Sequence, residues 1–288
     1  MITANEGALR SVAMRRLLLA AVVLGTVQSA QAADLPDLPV LRGGLTDGLT
    51  TSQVNWQGFY AGAQGGYGSS NENFNGSTSN MIAALLADDI VNSEMGVSGW
   101  NLGLGKQSVH SSGYGAFAGY NWQWEDVVIG FETSYLHGTF GGAATASEER
   151  FSTAALSDKF FHDVTATSSA SISISDMATL RGRAAYAYGS FLPYMFGGLA
   201  LGNADITRSV IVQDTLYQTA LGGPVGTSTL STTDVQHNHL IYGYSAGLGV
   251  DVNLVGGLFL RAEYEYLRFT SAVDTSINTV RAGLGYKF

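Results

Sequence analysis

The closing segment Asn278–Phe288 limits the fold more than any other part of this chain. Its even positions are Val280, Ala282, Leu284, Tyr286 and Phe288, while the odd positions include Arg281, Gly283, Gly285 and Lys287. A period of two, with one oily face and one charged or empty face, is the pattern of a β-strand. The chain ends on the aromatic Phe288, which reads as the terminal signature of a barrel. A last strand with its charges inward and its apolar face outward fits a closed sheet surrounded by lipid.

The N-terminal sequence reads as an export signal. Arg15 and Arg16 precede the apolar run Leu17–Val27, and Ala30-Gln31-Ala32 follows. A basic start, a short apolar centre and a small-residue cleavage site describe a secretory signal over residues 1–32. The run is too short to cross a bilayer as a helix. Met14 stands directly before Arg15, so the start lies at Met1 or Met14. Removing residues 1–32 takes away three basic residues and one acidic residue, leaving 11 basic and 22 acidic. No basic run exists, which argues against nucleic acid. There is no cysteine, so disulfides and thiol chemistry are excluded. A hydrogen-bonded closed sheet would hold such an exported chain together.

Residues 33–54 read as a flexible periplasmic lead-in, and 55–288 as one barrel domain without a peptidoglycan-binding tail. Eight alternating segments follow one another. Outward sets are Phe59, Ala61, Ala63; Tyr114 to Trp122 in steps of two; Val127 to Tyr135; Ala178 to Tyr188; Leu240 to Val250; Leu258 to Tyr266; and Val280 to Phe288. The fifth segment, Leu192–Gly202, is apolar on both faces and its orientation is open. Stretches at 69–111, 138–172 and 203–238 read as long polar loops, and 270–275 as a short one. The expected fold is all-β: an eight-stranded antiparallel transmembrane barrel with long extracellular loops, each strand about nine to eleven residues. A soluble eight-stranded barrel would place its charges outside instead. Trp56, Trp122, Tyr186, Tyr264, Tyr266 and Tyr286 fall near strand ends, where an interfacial aromatic girdle belongs.

The inward charges are Glu132, Arg181, Arg183, Arg261, Glu263, Glu265, Arg281 and Lys287. In so narrow a barrel they interdigitate as an ion-pair network filling the lumen; the alternative is a selective polar channel, for which wider barrels are the usual frame. His237 and His239, two apart on a strand, are a weak metal or haem signal with only Asp234 near. No metal or other cofactor is expected. His137, Ser134 and Glu132 have the residue types of a hydrolase triad, but His137 would face out and the others in, which argues against an enzyme. Met81–Val91 reads as a short amphipathic helix on the barrel mouth or lipid surface, or as a hydrophobic loop anchor.

Trp56-Gln57-Gly58-Phe59-Tyr60-Ala61-Gly62 resembles the opening strand of alphaproteobacterial outer-membrane proteins of the Omp25/Omp31 type. Arg181-Gly182-Arg183-Ala184-Ala185-Tyr186-Ala187-Tyr188, Leu192-Pro193-Tyr194 and Gly197-Gly198 resemble that family's central hairpin. Glu263-Tyr264-Glu265-Tyr266 and Val280–Phe288 resemble its last strands. The resemblance covers about residues 55–288 outside the loops. It implies an outer-membrane surface protein in contact with lipid and lipopolysaccharide and inserted by barrel-assembly machinery. Some relatives are described as haem-binding or porin-like, but no residue pattern here carries either property. The expected role is a non-enzymatic contribution to envelope integrity; the alternatives are a narrow porin and loop-mediated ligand binding or adhesion. Any loop ligand and the oligomeric state stay open.

Overall fold

The computed structural model describes residues 54–288 except Asn101. The export segment and lead-in residues 33–53 lie outside the described residues. Eight strands follow in order: β1 Gly58–Asn73, β2 Lys106–Trp124, β3 Val127–Phe151, β4 Phe161–Tyr186, β5 Phe191–Tyr217, β6 Pro224–Val255, β7 Leu258–Phe269 and β8 Asp274–Lys287. Each pairs antiparallel with its neighbours, and β8 returns to β1 from Tyr60↔Lys287 to Asn73↔Asp274, closing the ring. Tight turns join the strands at the end nearest Phe288, and the longer connections lie at the other end, called here the upper end.

The expected alternation holds through the lower half. Leu199 and Leu248 are 68% and 63% exposed on the outer wall, and Phe131 and Val280 share that wall. Glu132, Arg181, Asp251 and Arg281 are buried inside it. The fifth strand is now oriented: Leu192, Tyr194, Phe196 and Ala200 face in, and Met195, Leu199 and Leu201 face out.

The upper half corrects the loop assignments. Stretches 138–172 and 203–238 are mostly strand, so β3 to β6 run 25, 26, 27 and 32 residues. The reason is an exchange of faces. Irregularities in pairing fall between His137 and Phe140, Ile174 and Asp176, and Ala204 and Ile206. A β-bulge of this kind inserts an unpaired residue and re-aims the strand. Above the irregularities Val164, Ala166, Ile172, Ile174, Val210 and Val212 are buried on the inner wall. Thr165, Thr167, Ser169 and Ser171 lie on the outer one. The outer face changes from oil to hydroxyl groups, and the inner face from charge to aliphatic side chains.

The first long stretch, 69–111, is part strand and part cap. It contains α1 Ser79–Leu85, α2 Ile90–Met95 and a single 3-10 turn, Val97–Gly99. Asp89 caps α2 by accepting a hydrogen bond from the Val91 backbone N–H at 3.0 Å, and Gly96 ends it in the left-handed region at φ 65°. The expected amphipathic helix is therefore two short helices. Their apolar side chains, Ile82, Leu86 and Val91 among them, pack on Val164, Ala166, Val210 and Val212. The cap sits on the inner wall of the upper sheet, not on lipid.

Candidate functional site

The lumen is built in layers by the strand register. At its centre Glu132 stands opposite Arg181, Asp251 opposite Arg261, and Glu263 opposite Arg281. Opposite residues on neighbouring antiparallel strands point to the same face, so the pairing delivers acid and base together. Arg181 grips Glu263 with two parallel hydrogen bonds of 2.8 Å and also donates to Glu132. Arg261 does the same to Asp251, at 2.8 and 3.0 Å, and reaches Glu132 Oε2 at 2.8 Å. Arg183 joins Asp251 at 2.8 Å, and Arg281 pairs with Glu265. Tyr60 donates to Glu132 at 2.7 Å and Tyr194 to Glu263 at 3.0 Å. None of the charged side chains in this network is more than 2% exposed.

Two changes to the expected set give this network its balance. Lys287 is outside it: half-buried at the lower mouth, it donates to the Gln57 carbonyl at 3.3 Å. Asp251, which follows the outward Val250 and so faces in from the sixth strand, is inside it. Four arginines thus meet four carboxylates. An excess of buried positive charge would have been costly, because an unpaired ion in a dry interior keeps its desolvation penalty.

Aromatic rings brace the guanidinium groups from below. Arg181 lies 4.0 Å from the Phe196 ring centre, Arg183 3.9 Å from Tyr194 and Arg261 3.9 Å from Phe117. Such stacking suits arginine, whose planar head is weakly hydrated. Glycine makes room for the rings: a Cβ at Gly285 would fall 2.3 Å from Phe259, and one at Gly247 2.4 Å from Phe196. Phe117, Phe259, Leu192, Val128 and Trp56 complete this lower layer. Above the charges, Leu136, Phe140, Ile174, Met177, Ile206 and Phe269 form an aliphatic and aromatic layer, and the cap lies over it.

Trp56 corrects the girdle assignment. It is 3% exposed and packs edge-on against Phe259, with its backbone N–H bonded to Gln123 at 2.6 Å. It lies two residues before β1 and continues that strand's alternation, in phase with the inward Tyr60, which puts it in the lower mouth. Trp122, Tyr186, Tyr264 and Tyr286 are exposed on the outer wall, Tyr266 is half-exposed there, and Phe288 is exposed.

The residues considered for catalysis are not brought together. Ser134 faces the lumen, where it bonds Gln64 and Arg281, and Glu132 is held by three arginines. His137 faces out and bonds Asp176 at 2.9 Å. His237 lies 3.5 Å from Asp205, and Asn238 between His237 and His239 has φ 51°, so strand alternation breaks there. Among the described residues no cluster of three or more histidine or acidic side chains has metal-binding geometry.

The profile of the outer membrane protein beta-barrel domain matches residues 17–288. A 22 kDa outer membrane protein of Rhizobium leguminosarum bv. viciae is 24% identical over 205 residues, covering 67% of this chain and 75% of the relative. A 25 kDa outer-membrane immunogenic protein of Brucella ovis is 23% identical over 236 residues, covering 82% and 80%. Among solved structures, Neisserial surface protein A is 13% identical with a TM-score of 0.36, covering 80% of this chain and 97% of that one.

Proposed function

The chain belongs to the outer membrane β-barrel protein family and resides in the outer membrane, and on that premise we propose that it is a closed-lumen scaffold rather than a conduit or an enzyme. One observation carries this reading. The lumen is filled in successive layers by aromatic rings, a neutral set of four arginines and four carboxylates, an aliphatic core and a helical cap. An eight-stranded interior is just wide enough for side chains to fill, and here the charges are spent on each other. The outer wall solvates in lipid, and the β3–β6 extension stands above it. Lipid and lipopolysaccharide surround the barrel, and insertion is the task of the barrel-assembly machinery.

The mechanism is mechanical. The closed ladder leaves no edge within the bilayer, where an unpaired backbone group has no water to bond. Bidentate arginine pairs tie β4 to β7 and β7 to β6, and further arginine contacts bring in β3 and β8, so the wall resists shear.

Deletion and complementation in cells test this reading. Loss of the chain is expected to raise detergent sensitivity and uptake of a hydrophobic dye, with uptake of small hydrophilic solutes unchanged. The narrow-porin reading expects the reverse, and that result would displace the scaffold.

A further inference from the structure

Beyond the scaffold role, we infer that the barrel carries a binding site for an ammonium group, received by Glu72 at a seam between β2 and β3. Pairing between these strands stops at Gly113↔Gly138. Above that point β2 pairs only with β1, and β3 only with β4. The wall there is shut by side-chain contact instead of backbone hydrogen bonds. A Cβ at Gly142 of β3 would fall 3.0 Å from Glu72 Oε2, 3.4 Å from Val109 and 3.6 Å from Gln107.

Glu72 is the anomaly at this seam. It is 1% exposed, and neither carboxylate oxygen has a hydrogen-bond partner among the described residues. Gln107 and Thr275 stand opposite it on the neighbouring strands. Burial pushes its carboxyl up, and the Ser70 hydroxyl donates to the Val109 carbonyl at 3.3 Å. A buried acceptor left unmatched costs free energy that nothing else in the fold recovers. An ammonium supplies both the missing donors and the missing charge.

The approach has the right chemistry. A cavity of about 450 Å³ opens at the foot of the seam, lined by Ser111, Ser112, Tyr114, His137 and Thr139. Exposed Tyr67 and Tyr114 flank it on the outer wall, and aromatic faces attract cations. The lipid-facing wall begins directly below, so an amphiphile can rest its tail there while its amine enters the seam. Gly142, without a Cβ, leaves room for the Glu72 carboxylate against β3.

The test is calorimetric titration of the refolded barrel, in uncharged maltoside micelles, with propylammonium and with dodecylammonium. The wild type should bind, and more tightly at pH 8 than at pH 5, because the carboxylate must be ionised to pair. Glu72→Gln should lose affinity by at least about tenfold, the scale of one charged hydrogen bond. Gly142→Val, which keeps the acid and crowds its carboxylate, should lose it similarly. Equal binding of the two amines would identify a free amine as the ligand, and binding of the long chain alone an amphiphile. No binding by the wild type, or unchanged binding in both variants, would overturn the site and mark Glu72 as a protonated buried acid only. Neither result bears on whether the lumen conducts.

Discussion

Arg181 touches Glu132, Glu263 and Glu265 at once, so its loss is felt by three carboxylates. A buried ion pair is poor evidence of net stability, since an apolar core of the same shape often does as well. Breaking one is different: Arg181→Ala strands Glu263 without its bidentate partner and should cost about 3–5 kcal/mol. Urea titration of the refolded barrel in lipid vesicles would read this as a lower midpoint, and the Arg181→Ala, Glu263→Ala double variant should recover part of it. A loss under about 1 kcal/mol, as for exposed pairs, would show that the network is solvated. Seven of the eight charges named from sequence lie in it, because alternation alone places Arg181, Arg183 and Glu263 inside. Asp251 was visible on that face too, but its partner, ten residues on across a tight turn, depends on register. Register also left Lys287 at the mouth.

The elements of the lower barrel were legible because a lipid-facing wall leaves an unbroken oily stripe, as in Tyr114, Ala116, Ala118, Tyr120 and Trp122. Above the bulges that signal reverses. In β4, Thr165, Thr167, Ser169 and Ser171 face out while Val164, Ala166 and Ile172 face in. A search for outward oil reads such a stretch as a polar loop, although threonine suits a strand. The cap is legible as an apolar run but not in its docking, since the sequence of the sheet wall that receives it reads as loop. This upper part should open independently of the barrel below. Leu86 is fully buried in the cap cluster, and Leu86→Ala should loosen it by about 2–4 kcal/mol, within the range for buried leucines. Hydrogen exchange should then accelerate across α1 and α2 while β7 and β8 stay protected. Acceleration spread evenly over all eight strands would contradict separate opening.

At the scale of the whole molecule, the described residues form a membrane barrel below and a hydroxyl-faced sheet above. The number of strands, their antiparallel order and the side that meets lipid follow from alternation and the alternating short and long connections. The filling of the lumen does not, because it depends on which side chains meet across the barrel. Trp56 shows the limit: in phase with the inward Tyr60 two residues before the first strand begins, it stops the lower mouth, although an aromatic at a strand end reads as girdle. Single-channel recording of the refolded mature chain in a planar bilayer puts the closed lumen to the most direct test, with heat-modifiable gel migration confirming the fold. A silent bilayer for the wild type is the expected result. Steady openings whose size or ion selectivity changes in Arg181→Ala would contradict it, and would make the arginine and carboxylate layer a filter instead of a plug.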